Sequence, residues 1–325
     1  MIEYNKRNFR TWSMLGSRRL FGIVLEELAE QDEKFVFITA DVGRYYAINR
    51  FIEKYPDRVI NVGIAEQNMI GVAAGLAKEG FHPMVATYAT FATSRVLDQL
   101  RVNMGLMNLP IVVVGVSSGL AEGDMSATHM GLEDIATTAS IPNLNIFSPA
   151  DCTETVKCML EAINLGRPCY VRLTGAANCP IVYKEDYEFE AGKAVTLKTG
   201  KDLALVATGS MVYQALQVAA SLEKEKEIQA SVFNVHTVKP IDKDFVEKLC
   251  AYENVIVIEE HNIYGGLGSI LACEIAAKSR KTKLQIYGVE DFYPVAASYE
   301  TLLDQCGLSK EKLYTRILKC CVLDN

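Results

Sequence analysis

The sequence predicts an α/β protein made of two doubly wound domains, each a mostly parallel sheet covered on both faces by helices. Three observations carry that expectation. Short apolar runs rich in Val, Ile and Phe alternate with longer stretches of helical period. The runs are continuous rather than alternating with polar residues, as expected of strands buried on both faces. The alternation pauses between residues 174 and 201 and then resumes, and 325 residues suffice for two domains of ordinary size.

In the first series the strands are FVFITA (35–40), MVATY (84–88), PIVVVGV (110–116), LNIF (144–147) and CYVRL (169–173). Helical period fills the intervals, as in Arg95 to Gly105 and Asp151 to Leu165. The segment TGAANCPIVYKEDYEFEAGKAVTLKTGK (174–201) is polar and broken, and is expected to be a linker with an edge strand or two. A second series follows: LALVATG (203–209), a helix to about Glu225, ASVFNV (230–235), a helix from Asp242, NVIVIEE (254–260), a helix after Gly268, and LQIYGV (284–289). The expected organisation is an N-terminal extension over 1–10, a first domain over 11–175, a linker over 176–200 and a second domain over 201–325. No repeat of short fixed period is present, which excludes a solenoid.

Composition narrows the function. Half of the residues are hydrophobic and no low-complexity tract occurs, as in soluble globular proteins. A formal net charge of −7 argues against a general nucleic-acid binder, which needs a basic face. No apolar run reaches membrane-spanning length without Gly, Pro or charge, so no membrane partner is expected. The N-terminal MIEYNKRNFRTW lacks the apolar core of a signal peptide. Nine scattered cysteines form no metal-type CxxC pair, and the adjacent Cys320 and Cys321 have no usable zinc spacing. No metal site is therefore expected within this chain, and the thiols read as the reduced cysteines of a cytoplasmic protein.

Ligands of doubly wound sheets bind beyond the carboxyl ends of the strands. Asp41 follows the first strand, Glu66 follows RVINVG, Tyr88 and Phe91 end and follow MVATY, and His129 lies in the loop after PIVVVGV. Taken singly, each has a structural explanation: a helix cap for a carboxylate, core packing for an aromatic, a satisfied polar group for the histidine. Taken together, they lie at successive edges of one sheet and are placed to line one cleft. Glu66 poses the sharpest question, because it heads the apolar helical segment MIGVAAGLA. Phosphate-cradling GxGxxG and GxxxxGK(S/T) patterns are absent, as is the GxSxG elbow of hydrolases. The Gly-rich turn Tyr264 to Gly268 precedes a helix, but Glu259 and Glu260 before it would repel an anion.

These residues carry a resemblance. INVGIAEQNMIGVAAGLAKEGFHP, TYATFATSRVLDQLR, SATHMGLEDIA and SPADCTETV resemble the pyrimidine-binding domain of the transketolase family, whose pattern is shared by deoxyxylulose-phosphate synthases and the β subunits of 2-oxo acid dehydrogenases. DLALVATGS, HTVKPID and NVIVIEEHNIYGGLGS resemble the transketolase C-terminal domain. The resemblance runs from about residue 11 to the end. A full transketolase begins with a further domain that holds the pyrophosphate of thiamine diphosphate through a metal ion with a GDG…N motif, and this chain has neither. The resemblance therefore implies the second subunit of a split transketolase. It would transfer a two-carbon ketol unit from a ketose to an aldose, with thiamine diphosphate as cofactor. Mg2+ (or Ca2+) would be held mainly by a separate N-terminal subunit, in an α2β2 assembly.

The same resemblance assigns roles. Glu66 would hydrogen-bond a pyrimidine nitrogen and favour the tautomer that takes the thiazolium proton, with burial raising its pKa. Phe91 would stack on the aminopyrimidine beside Tyr88. His129 would contact substrate oxygen near the thiazolium, as acid/base or hydrogen-bond partner. Arg172 would bind substrate phosphate or distal hydroxyls, Arg18 would be a phosphate ligand, and Asp41 would be a cofactor-side carboxylate. The chain also departs from the family. GVSSGLAEGDMSATH lacks the histidine that transketolases carry after this strand, and Asp124 only approximates the aspartate of the usual GEDGxTH loop. The arginine of deoxyxylulose-phosphate synthases is also missing here. The acceptor is therefore expected to differ from an ordinary pentose phosphate. A synthase-like or dehydrogenase-like thiamine enzyme, and a non-catalytic scaffold, are the alternatives.

Overall fold

The computed structural model describes residues 2–174 and 179–323, apart from the side chains of residues 44, 45 and 321–323. The first residues of the expected linker (176–178) and Cys321 lie outside the described residues and side chains.

Burial on both faces explains the apolar runs. The first sheet contains β1 (Phe35–Thr39), β2 (Val59–Asn61), β3 (His82–Tyr88), β4 (Val112–Val116), β5 (Asn145–Phe147) and β6 (Cys169–Arg172). β1, β4 and β6 are buried along their whole length. The second sheet contains β7 (Val195–Lys198), β8 (Leu203–Ala207), β9 (Ala230–Asn234), β11 (Asn254–Asn262) and β12 (Lys283–Val289). A short strand between β9 and β11, β10 (Thr237–Lys239), leaves that domain and joins the first sheet. The orders are β10-β5-β6-β4-β3-β1-β2 and β12-β11-β8-β9-β7. All pairings are parallel except β10 on β5 and β7 on β9, which close one edge of each sheet. The expected α/β class with two mostly parallel sheets is the observed one, and β7 is the edge strand expected within the linker segment.

Helix boundaries follow their caps. Asp151 caps Cys152–Asn164 by accepting from Glu154 N at 2.9 Å, and Asp242 caps Lys243–Leu249 from Asp244 and Phe245 N. The N-terminal residues do more than extend the chain. Asn5 caps a helix over Lys6–Leu15, whose Phe9 and Trp12 are buried in the core on one face of the first sheet. The stretch Arg95 to Gly105 also departs from a single regular helix. It breaks into a 3-10 turn (Ser94–Val96), an α turn (Leu97–Leu100) and a π turn (Arg101–Leu106). A wide turn there lets the backbone press on Ile141, where a Cβ on Gly105 would come within 2.7 Å.

The two domains share a core. One apolar cluster includes Ile38, Val85 and Val113 of the first sheet together with Ala204, Val206 and Phe233 of the second. β10 reinforces that junction, and Ser148 N donates to His236 O at 2.8 Å beside it. Strand ends from both sheets consequently meet at the carboxyl edge of the first sheet. Among the described residues no helix is long and apolar enough to cross a membrane.

Candidate active site

Helix Glu66–Lys78 follows β2 and buries Met69, Ile70, Ala73, Ala74 and Ala77 against the sheet. Its first residue is Glu66, buried to 5 % exposure although Ala65 before it offers no side-chain cap. A carboxylate in a helical first turn sits at the positive end of the helix dipole, which favours its placement there. Its Oε1 accepts from Arg95 Nη1 at 2.7 Å. The Arg95 guanidinium lies 3.8 Å from the centroid of the Phe91 ring. Phe91 and Arg95 are four residues apart on a helical stretch, so they share a face.

The aromatic floor continues from there. Phe91 and Tyr88 meet edge to face at 5.8 Å between centroids, and both lie 5.2 Å from the His129 ring. Thr128 Oγ1 lies 3.0 Å from His129 Nδ1. Beyond Tyr88 is Tyr46, fully buried, whose hydroxyl finds no hydrogen-bond partner among the described residues. Burial first, then the nearby Tyr88, holds its phenol proton well above the usual tyrosine range, with Arg18 opposing. Arg18 Nη1 donates to Glu122 Oε1 at 2.8 Å, and Ser117 Oγ donates to the same oxygen at 2.7 Å. Glu66, Arg95, Phe91, Tyr88 and His129 thus form one chain of side-chain contacts, with Arg18 next to Tyr46 beyond it.

The loop after β4 is shaped by residues with positive φ. Ser117 has φ 56° and Gly119 φ 69°. At Gly119 a Cβ would lie 2.3 Å from Glu260 Oε1, so only glycine fits there. Glu260, at the carboxyl end of β11, accepts from Leu120 N at 2.6 Å, from Tyr299 Oη at 2.6 Å and from Ser210 Oγ. The second domain therefore anchors the loop that carries Glu122 and His129.

Other expected residues are placed differently. Asp41 is exposed at the end of β1 and exchanges hydrogen bonds with Asn61, N to Oδ1 at 3.1 Å and Nδ2 to Oδ1 at 3.0 Å. It ties β1 to β2 at the rim rather than touching the aromatic cluster. Asp124 is exposed in a 3-10 turn, and no hydrogen bond or ion pair joins it to the cluster. Glu122, two residues earlier, reaches Arg18 instead. Arg172 corrects the expectation of a substrate-facing guanidinium. Its side chain is 1 % exposed, its Nε bonds both Asp134 oxygens at 2.8 and 3.1 Å, and its Nη2 bonds Gly131 O and Glu260 O. Folding the loop after β4 back onto the end of β6 covers it. The Gly-rich turn after β11 is also filled from within. Glu259 accepts from Leu267 N at 2.7 Å and Gly268 N at 2.9 Å, occupying the N-terminus of helix Leu267–Ala276.

Sequence reasoning does not place Arg95, Tyr46, Ser117, Glu122 or Glu260 in the site. Only Arg95 leaves a signal, its helical spacing from Phe91. Cavities of about 460 and 560 Å³ lie at the opposite, amino edge of the first sheet, around Asn145 and Arg167 and around His82 and Pro110. They are remote from this chemistry. Among the described residues no group of three or more His, Cys, Asp or Glu side chains is arranged to hold a metal ion.

Residues 13–178 match the family described as transketolase, pyrimidine binding domain, and residues 192–313 match transketolase, C-terminal domain. The chain belongs to the transketolase family. It is 35% identical over 301 residues to an apulose-4-phosphate transketolase subunit of Phocaeicola vulgatus, covering 92% of this chain and 95% of that one. It is 33% identical over 306 residues to a protein of Methanocaldococcus jannaschii described as a transketolase C-terminal section, covering 94% and 96%. A solved split-gene transketolase, an inactive β4 tetramer, superposes with a TM-score of 0.84 at 32% identity, covering 95% of this chain and 99% of that chain. The transketolase of Campylobacter jejuni superposes with a TM-score of 0.76 at 25% identity, but only 46% of that longer chain is covered. This chain is a C-terminal transketolase subunit, a transferase of a thiamine diphosphate-using family.

Proposed function

We propose that this chain supplies the pyrimidine half of a thiamine diphosphate site, completed by a separate N-terminal transketolase subunit in a cytoplasmic α2β2 assembly. The observation that supports this reading is Glu66, a buried carboxylate joined to the face of the Phe91 ring through Arg95. An acceptor beside an aromatic face suits a flat heteroaromatic ring bearing N–H groups. The described residues offer the diphosphate and its Mg2+ (or Ca2+) no comparable set of ligands, so both fall to the partner. A relative covered over 95% of its length is itself named a transketolase subunit, which favours a partner for this chain.

The bound cofactor supplies an electron sink for breaking and making a carbon–carbon bond next to a carbonyl. Glu66 is positioned to hold and pass a proton at a pyrimidine nitrogen. Phe91 and Tyr88 give the ring an apolar wall that excludes water, with Arg95 moving off the Phe91 face. His129, edge-on to both rings, is the group placed to hydrogen-bond a substrate oxygen. We assign Arg18 and Asp124 to the sugar end and Asp41 to the rim of the cofactor side. Arg172 acts from behind, by fixing the loop end at Gly131. The substrates are a ketose donor and an aldose acceptor. Domain limits of 11–175 and 201–325, with the linker at 176–200, belong to the same reading.

The test is calorimetry on the chain alone and on its mixture with the pyrophosphate-domain chain. The single chain should bind thiamine diphosphate weakly and transfer nothing. The mixture with Mg2+ should bind it tightly and melt at higher temperature. Tight, Mg2+-dependent binding by this polypeptide alone would refute the divided site.

A further inference from the structure

We propose that Glu122 sets the charge preference of the sugar end of this cleft, holding Arg18 neutralised so that the site takes an uncharged, hydroxyl-bearing aldose end in preference to a phosphorylated one. The inference rests on the transketolase reading for the identity of the ligand, but on this chain's own side chains for its charge. Arg18 lies near Tyr46 and the loop after β4, where Glu122 Oε1 holds its guanidinium at 2.8 Å. The pair is two-thirds or more buried, with 32% and 20% side-chain exposure, so solvent screens it less than a surface pair. Ser117 anchors the carboxylate from the other side at 2.7 Å and is itself fully buried in a left-handed conformation. Glu122 is thus built into the loop rather than swinging in solvent.

The hydrogen-bonding capacity left over points the same way. An ionised carboxylate only accepts, and Glu122 Oε1 already takes two donors, which leaves Oε2 free to accept another. The Tyr46 hydroxyl beside it is buried and has no partner among the described residues. Its phenol is held protonated, so it offers a donor. A sugar hydroxyl both donates and accepts, and matches an acceptor and a donor together. A phosphate dianion only accepts, would face the Glu122 carboxylate, and would have to break the Arg18 pair to use the guanidinium. One relative is named for a phosphorylated sugar, so the opposite preference is the live alternative.

The experiment uses the complex reconstituted with the pyrophosphate-domain subunit, thiamine diphosphate and Mg2+. The probes are D-glyceraldehyde and D-glyceraldehyde 3-phosphate. Calorimetry without a ketose donor gives the ratio of their affinities, and acceptor kcat/KM with a ketose donor gives the same ratio in turnover. We expect the wild type to favour the neutral aldose. Glu122→Gln and Glu122→Ala should each raise the ratio in favour of the phosphorylated probe by tenfold or more, because Arg18 is released. A wild-type preference for the phosphate or no preference, or a rise below tenfold in either variant, overturns the proposal. The wild-type ratio needs no variant to fold. The calorimetric ratio is readable even if no two-carbon unit is transferred, so failure of the transketolase reading and failure of this inference are distinguishable.

Discussion

Two arginine–carboxylate pairs sit at the carboxyl edge of the same sheet and have opposite characters. In one, Arg95 reaches Glu66 at 2.7 Å while remaining 44% exposed itself. In the other, Arg172 and Asp134 are 1% and 0% exposed, and Asp134 also accepts from Tyr170 Oη at 2.7 Å. The first guanidinium lies across an aromatic face and stays open to solvent. The second is locked by the carbonyl oxygens of Glu260 and Gly131 in the surrounding segments. A charged pair at a strand end becomes a site only where one member retains access to solvent. Where both are sealed, the pair positions the loop above it.

Breaking the open side should have the largest effect. In the reconstituted complex, Glu66→Gln should lower kcat by about 10²–10⁴-fold, the range of a lost proton relay, with the melting temperature nearly unchanged. Near-normal turnover would remove Glu66 from the chemistry. On the sealed side, Arg172→Met leaves Asp134 buried without its main partner and should cost about 3–5 kcal/mol of stability. Urea denaturation of the chain measures it. A selective rise in KM for phosphorylated substrates with stability intact would return Arg172 to the substrate site.

The contrast also explains what a sequence can reveal. β1, β4, β8 and β11 are evident because burial on both faces demands unbroken apolar residues. β10 is not, because Thr237–Lys239 becomes a strand only by pairing with β5 across the domain boundary. Glu66, Tyr88 and Phe91 fall at or just after strand ends, which the topology brings together regardless of loop detail, whereas His129 reaches Tyr88 and Phe91 on the loop after β4. Glu122 and Glu260 depend on the left-handed turns at Ser117 and Gly119, which aim the loop and have no periodic signature. Arg172 misleads for a related reason. Its position at the end of β6 is visible in sequence, but the loop folded over it is not.

A histidine on the sealed side gives the next largest effect. His236 stacks on Phe189 at 4.4 Å between centroids, its Nδ1 lies 2.9 Å from Thr237 Oγ1, and its Nε2 has no partner among the described residues. Burial pulls it down from the usual 6.5 to about 4. A base with a lowered pKa is favoured neutral, so its contribution is present above pH 6.5 and is lost as pH falls toward 4. The full loss amounts to about 3 kcal/mol. Urea midpoints should therefore fall more steeply between about pH 7 and pH 4.5 for the wild type than for His236→Gln. Equal slopes would mean that acid destabilisation arises elsewhere.

The smallest effect is the most direct check on the comparison. Arg95→Gln removes the same kind of contact as Arg172→Met, a guanidinium on a carboxylate, with a ring contact besides. Because Arg95 is nearly half exposed, water compensates much of what is lost, and half-exposed pairs contribute about 0–1 kcal/mol. The ring contact adds a comparable amount at an exposed position. Glu66 keeps its place at the helical first turn, and glutamine can still donate to it. We therefore expect Arg95→Gln to lower stability by no more than about 1 kcal/mol, several-fold less than Arg172→Met under the same urea conditions. A loss as large as that of Arg172→Met would make the Glu66 pair a structural one, and the distinction between an open and a sealed pair would fail.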